Sequence, residues 1–166
     1  MILGLSTATF TVLHVVVSLF AILAGTVVVA RMLGGRSAPR WTALYLAATL
    51  FTSASGFFFQ SSGVMPSHVF GVLSLIVLAP AVAGLYVFRL AGPWRWIYIV
   101  GALIAFYLNV FVAVVQAFQK LPALQPLAPT QSEPPFLATQ LVVLVLFVAL
   151  GVVAVRRFHP MRRLPA

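Results

Sequence analysis

TVLHVVVSLFAILAGTVVVAR, residues 11–31, is apolar almost throughout and stops on an arginine. A helix needs about 20 such residues to cross the hydrocarbon core of a bilayer. Extended back to Thr7, the run reads as a membrane span over residues 7–30. His14 is the one imidazole inside it. The rest of the chain repeats the pattern. Hydrophobic residues make up 63% and charged residues 7% of the 166, and the mean hydropathy is +1.14. A soluble domain carries about a quarter charged residues, so too little polar surface exists here to cover a water-soluble globule.

Four more apolar runs follow, over residues 41–59, 68–88, 96–118 and 136–155. Turn-forming residues separate them: GGRSAP, QSSGVMPS and RLAGPWR, then the long, proline-rich QKLPALQPLAPTQSEPP. The reading is all-α: one transmembrane domain, an integral membrane bundle of five transmembrane helices. The start, MILGLSTATF, has no basic segment, so the first run is expected to be a retained span and not a cleaved signal.

The cations orient the bundle. Arg31, Arg36 and Arg40 fall in the first loop, Arg89 and Arg95 in the third, and Arg156, Arg157, Arg162 and Arg163 in the tail. The other side holds Lys120 alone. The positive-inside rule places the N-terminus outside and the C-terminus in the cytoplasm, as in a multi-pass protein of the bacterial inner membrane. The net charge of +9 is then a topology signal, and no nucleic-acid partner is expected. These arginines are expected to anchor the inner face on lipid phosphates. Trp41, Trp94 and Trp96 beside them read as an interfacial belt. Pro80 is expected to kink the third span.

Helices in lipid pack through small and polar faces. Thr7, Thr11, His14, Ser18, Ala21 and Gly25 form such a stripe in the first span, and Ala48, Thr52, Ser55 and Gly56 in the second. His68, Gly71 and Ser74 share a face of the third. Gly101, Ala105, Asn109, Ala113 and Gln116 mark the fourth, and Gln140 stands alone in the fifth. Counting outward from the inner arginines at about 1.5 Å per residue puts His14 about 6 Å below the outer edge of the core. Gln140 falls at nearly the same level, Asn109 deeper, and Gln60, His68 and Gln116 at the edge. Ser53 and Ser55 lie in the outer third of the second span.

Polar groups inside a membrane are costly and suggest function. His14, His68, Asn109, Gln116, Gln140, Ser18, Thr52 and Ser55 are therefore the candidate residues of an outward-opening polar pocket. Its ligand would be a small molecule, and the absence of cysteine removes thiolate catalysis, iron–sulfur clusters and cysteine-based zinc sites. The single acid, Glu133, rules out paired carboxylates, and no nucleophile-elbow, phosphate-loop or zinc spacing is present. A conventional enzyme is not expected. Three readings stay open: a pocket for a small or proton-linked ligand; a haem b or quinone redox protein using His14 and His68; and an accessory subunit in which His14 bonds Gln140, Asn109 or a serine and merely holds helices together. A homo-oligomer or another membrane partner is compatible with the small-residue stripes. His159 reads as solvated or lipid-facing. Glu133 reads as a cap on the fifth span, and the loop before it as a lid or a docking segment.

LHVVVSLFAILAG (13–25) and PSHVFGVLSLIVLAPAVAGLYVFR (66–89) resemble the first and third spans of a bacterial family of predicted polytopic membrane proteins of unknown function. The resemblance covers residues 10–118. It implies a helical bundle in which His14 and His68 match the family's two outer histidines. That family often carries further histidines beside the arginines of its first and third loops. Here those loops read GGRSAPRW and RLAGPWRW, so a two-centre cofactor arrangement does not carry over.

Overall fold

A computed structural model describes residues 2, 4–59 and 66–159. The expectations for Gln60, Arg162 and Arg163 lie outside the described residues. The described chain is all-helical, with five α-helices and no β-strand. They are α1 (Thr7–Leu33), α2 (Pro39–Ser55), α3 (Pro66–Val82), α4 (Trp94–Lys120) and α5 (Pro134–Arg157).

Each helix begins and ends for a local reason. Ser6 caps α1, its hydroxyl accepting from the Thr9 amide at 3.1 Å. Pro39 and Pro134 open α2 and α5 at first-turn positions, where a missing N–H costs nothing. Gly34 and Gly35 end α1, and Gly35 takes φ +67°, a conformation that favours glycine.

Four helical stretches are long and apolar enough to cross a membrane: Thr7–Leu33, His68–Val87, Trp94–Lys120 and Pro134–Arg157. α2 is not among them. Its 17 residues span only about 25 Å, and a 3₁₀ turn over Gly56–Phe58 continues it. The sequence reading, residues 41–59, started two residues later and ended four residues later. α2 instead carries the densest set of buried hydroxyls, at Thr42, Thr49, Ser53 and Ser55.

α2 packs on α1 and α3, and α4 packs on α3 and α5. Small residues set the closest approaches. A Cβ on Gly25 would lie 2.8 Å from the Phe106 ring of α4. One on Gly101 would lie 2.8 Å from the Val77 carbonyl of α3. The core between these crossings holds Met32, Tyr45, Leu78, Ile99, Leu103 and Phe147. The outward faces are also apolar: Val12, Val16, Leu19 and Leu23 on α1, and Leu141, Val142, Val145 and Val148 on α5, are all exposed.

After Pro80 the third helix changes winding. Residues Ala83–Val87 form a π-helical turn, closed by the Phe88 amide on the Ala83 carbonyl at 2.9 Å. Arg89 and Leu90 then take left-handed φ of 48° and 59°. This reverses the chain, and Leu90 N–H returns to the Gly84 carbonyl at 2.8 Å. Phe88 stacks on Trp94 at 3.8 Å, so Trp94 is half-buried, unlike the exposed Trp41 and Trp96.

The proline-rich segment between α4 and α5 is seated on its own flanking helices. Ala128 is buried with Phe118 and Phe136. Gln131 Nε2 donates to the Val115 carbonyl at 3.2 Å. Glu133 occupies the N-cap position of α5, but its carboxylate does not cap the helix. It turns back and accepts from the Thr130 hydroxyl (2.8 Å), the Thr130 amide (3.0 Å) and the Ser132 amide (3.1 Å).

Candidate functional site

The polar side chains gather around the C-terminal half of α2, at the end of the bundle where α1 starts. His14 Nδ1 lies 2.8 Å from the Ser55 hydroxyl. The Phe59 ring meets the imidazole edge-on, with centroids 5.2 Å apart. One turn along α1, Ser18 donates to its own helix at the His14 carbonyl (2.7 Å) and reaches Thr52 at 3.4 Å. His14 and Ser18 thus face α2 along the stripe read from the sequence. Ala21 and Gly25 continue it into the core, while Thr7 is exposed.

A second face of α2 reaches the other helices. Tyr45 donates to the Ala102 carbonyl of α4 at 2.7 Å. Thr49, fully buried, accepts from Asn109 Nδ2 at 3.1 Å. Ser53 donates to Ser74 of α3 at 2.9 Å, with both residues buried. Tyr45, Thr49 and Ser53 recur at every fourth position, which places them on one helical face. That spacing was present in the sequence, and Thr49 and Tyr45 were not among the candidate residues.

The remaining candidates lie apart from His14. Gln140 sits on the seam of α4 and α5, its Nε2 donating to the Phe111 carbonyl at 3.2 Å. Its Oε1 is buried and has no hydrogen-bond partner among the described residues. Gln116 is exposed on α4. His68 stacks on Phe57, centroids 5.7 Å apart and 14° between planes.

Of the three partners considered for His14, the serine is the one observed. His14 is engaged with Ser55 and Phe59, and His68 with Phe57. Among the described residues, no three His, Asp or Glu side chains group as metal ligands.

A cleft of about 210 Å³ opens at the opposite end of the bundle. Its wall includes Val28, Met32, Arg36, Thr42, Leu90 and Tyr98. Nothing in the spacing of the sequence pointed to it, because it is made where α1, α2, the π-turn and α4 converge. Nearby, Arg95 Nη1 donates to the carbonyls of Val155 (2.9 Å) and Phe158 (2.7 Å). Arg95 is therefore committed within the protein, where the sequence reading had it on lipid phosphate.

The described residues thus form an all-helical bundle whose crossings are lined by small and hydroxylated residues beside a large apolar core, and whose outward faces are largely aliphatic. No family model, curated protein or solved structure matches it.

Proposed function

We propose that this chain is a five-span protein of a bacterial inner membrane, with its N-terminus outside and its C-terminus in the cytoplasm. At its outer end, the α1–α2 seam around His14 binds a small molecule or a proton-linked ligand. The embedding is supported by four membrane-length apolar helices and by the aliphatic outward faces of α1 and α5. Soluble monomers rarely expose contiguous apolar patches beyond a few hundred Å². α2, with its 3₁₀ extension, would be the short fifth span, acceptable because its polar groups are paired inside the bundle. The orientation is supported by charge. Arg31, Arg36, Arg40, Arg89, Arg95, Arg156 and Arg157 share one end, against Lys120 at the other.

The observation that carries the ligand reading is the way His14 is held. Ser55 takes Nδ1, and Nε2 makes no hydrogen bond among the described residues. The Ser55 hydroxyl also donates to the Thr52 carbonyl at 3.3 Å. In that arrangement it accepts from Nδ1–H, and Nε2 presents a lone pair. One nitrogen fixed and the other presented is how proteins orient an imidazole for a ligand or a proton. The competing reading, an accessory subunit, draws on Thr49–Asn109 and Ser53–Ser74, which are satisfied within the bundle.

Thermal unfolding in detergent separates the two, with a short-chain ubiquinone, a fatty acid and a primary amine as probes. A probe that stabilises the native chain and loses its effect in His14→Ala supports the site. A His14→Ala variant that loses only basal stability, with no probe-dependent difference, leaves the accessory reading. Reporter fusions test the orientation: a C-terminal reporter active in the periplasm overturns it.

A further inference from the structure

We infer that the cleft at the arginine-rich end binds an anionic phospholipid, with its phosphate at Arg36 and one acyl chain in the cleft. The inference rests on the membrane embedding proposed above and not on His14. Val28, Met32 and Phe158 are buried in the cleft wall, whereas Arg36 and Ser37 are exposed and form its rim. The result is an apolar slot with a cationic mouth, the division of an amphiphile. About 210 Å³ is below the roughly 300–1,000 Å³ of pockets for drug-sized ligands, which suits one narrow chain better than a ring system.

Charge decides the headgroup. The chain's one acid, Glu133, sits before α5, at the far end of the bundle from Arg36. The guanidinium therefore has no side-chain counterion within reach. Basic pockets between helices on the cytoplasmic side recruit anionic headgroups in this way. The wall itself is built from unusual backbone. Leu85 belongs to the π-turn, and Leu90 is held in by a left-handed φ of 59°. Outliers of both kinds concentrate at functional sites, and here both aim apolar side chains into one slot.

The test uses the purified full-length chain in detergent, titrated with dioleoyl phosphatidylglycerol, dioleoyl phosphatidylcholine or sodium phosphate and read by native mass spectrometry and thermal unfolding. The native chain is expected to prefer phosphatidylglycerol. Arg36→Gln should weaken that lipid about fivefold and phosphatidylcholine less, because its choline already neutralises the phosphate. Arg156→Gln, exposed at the same end but outside the cleft, should change neither. Ala38→Trp, which fills the cleft, should weaken both, and Ser37→Trp at the rim serves if Ala38→Trp does not fold. Equal losses in Arg156→Gln and Arg36→Gln would reduce the preference to diffuse surface charge and overturn the site. Stabilisation by phosphate alone would make it a free-anion site, and unchanged binding in the filled variants would take the chain out of the cleft. A chain extracted from membranes by carbonate would sink the embedding instead, which is a separate result.

Discussion

Arg95, in the first turn of α4, ties down the end of α5 through the carbonyls of Val155 and Phe158, at 2.9 and 2.7 Å. The last carbonyls of a helix have no partner within it and carry the negative end of its dipole. A guanidinium there satisfies both conditions and joins two helices whose other ends are held by the α4–α5 loop. Arg95→Ala should cost about 2 kcal/mol, measured by unfolding in mixed micelles with rising dodecyl sulfate. Arg95→Lys should recover part of it, because a single nitrogen, Nη1, makes both bonds and an ammonium can also donate twice. Arg156→Ala, exposed, should stay within about 0.5 kcal/mol. Equal losses for Arg95→Ala and Arg156→Ala would show that the tie contributes nothing.

His14 and Ser55 should be energetically coupled. A double-mutant cycle with His14→Ala and Ser55→Ala is expected to give about 0.6 kcal/mol, and at most about 1.7, the range of interhelical hydrogen bonds in a membrane bundle. Additive single effects would mean that the 2.8 Å contact has no net worth in the folded protein.

Three glycines should respond differently to alanine. At Gly101 the new methyl meets the backbone carbonyl of Val77 at 2.8 Å and the Ala81 Cβ at 3.0 Å. Backbone cannot step aside, so Gly101→Ala should cost about 1–3 kcal/mol. At Gly25 the obstacle is the Phe106 ring at 2.8 Å, already packed against Tyr45 and Phe147. Gly25→Ala should destabilise too, but less. Gly56 has φ −57° and ψ −30° and open space around it, so Gly56→Ala should be neutral or stabilising by up to about 1 kcal/mol. The ranking is read from the same unfolding titration, and a stable Gly101→Ala would mean that α3 and α4 do not cross there.

Glu133 should set an acid limb to stability. Some desolvation opposes ionisation of its carboxyl, but hydrogen bonds from the Thr130 hydroxyl and from the loop amides outweigh it and hold the pKa below the ordinary 4.5. A carboxyl whose pKa is lowered by folding contributes stability above its unfolded value and loses it as pH falls through the folded one. The native chain should therefore weaken from about pH 4.5 downward, and Glu133→Gln should flatten that limb. Thermal unfolding across this range checks it, and an unchanged slope in Glu133→Gln would assign the limb elsewhere.

The inward face of α1 was legible because one residue in three or four along it is small or polar while its neighbours are large aliphatics. The structure turns His14, Ser18, Ala21 and Gly25 inward, as that spacing requires. α2 was read less well. Its polar residues lie on two faces, and a single stripe through Ala48, Thr52 and Ser55 passed over Thr49 and Tyr45. Gln116 followed the spacing of the α4 stripe yet is exposed. It lies in the last turns of α4, where spacing alone does not tell whether a neighbouring helix still covers that face.

What the sequence determined by itself is the number of helices, their approximate ends and the segregation of charge. These follow from hydropathy, turn residues and arginine placement, which are local properties of the chain. Only the tertiary structure decided which polar groups meet. Gln140 was placed near the depth of His14 but lies on a different seam, because depth along a helix says nothing about its azimuth around the bundle. The cleft beside Arg36 was hidden for the same reason: its wall joins residues from Val28 to Phe158, brought together by a π-turn and a left-handed reversal that hydropathy does not register.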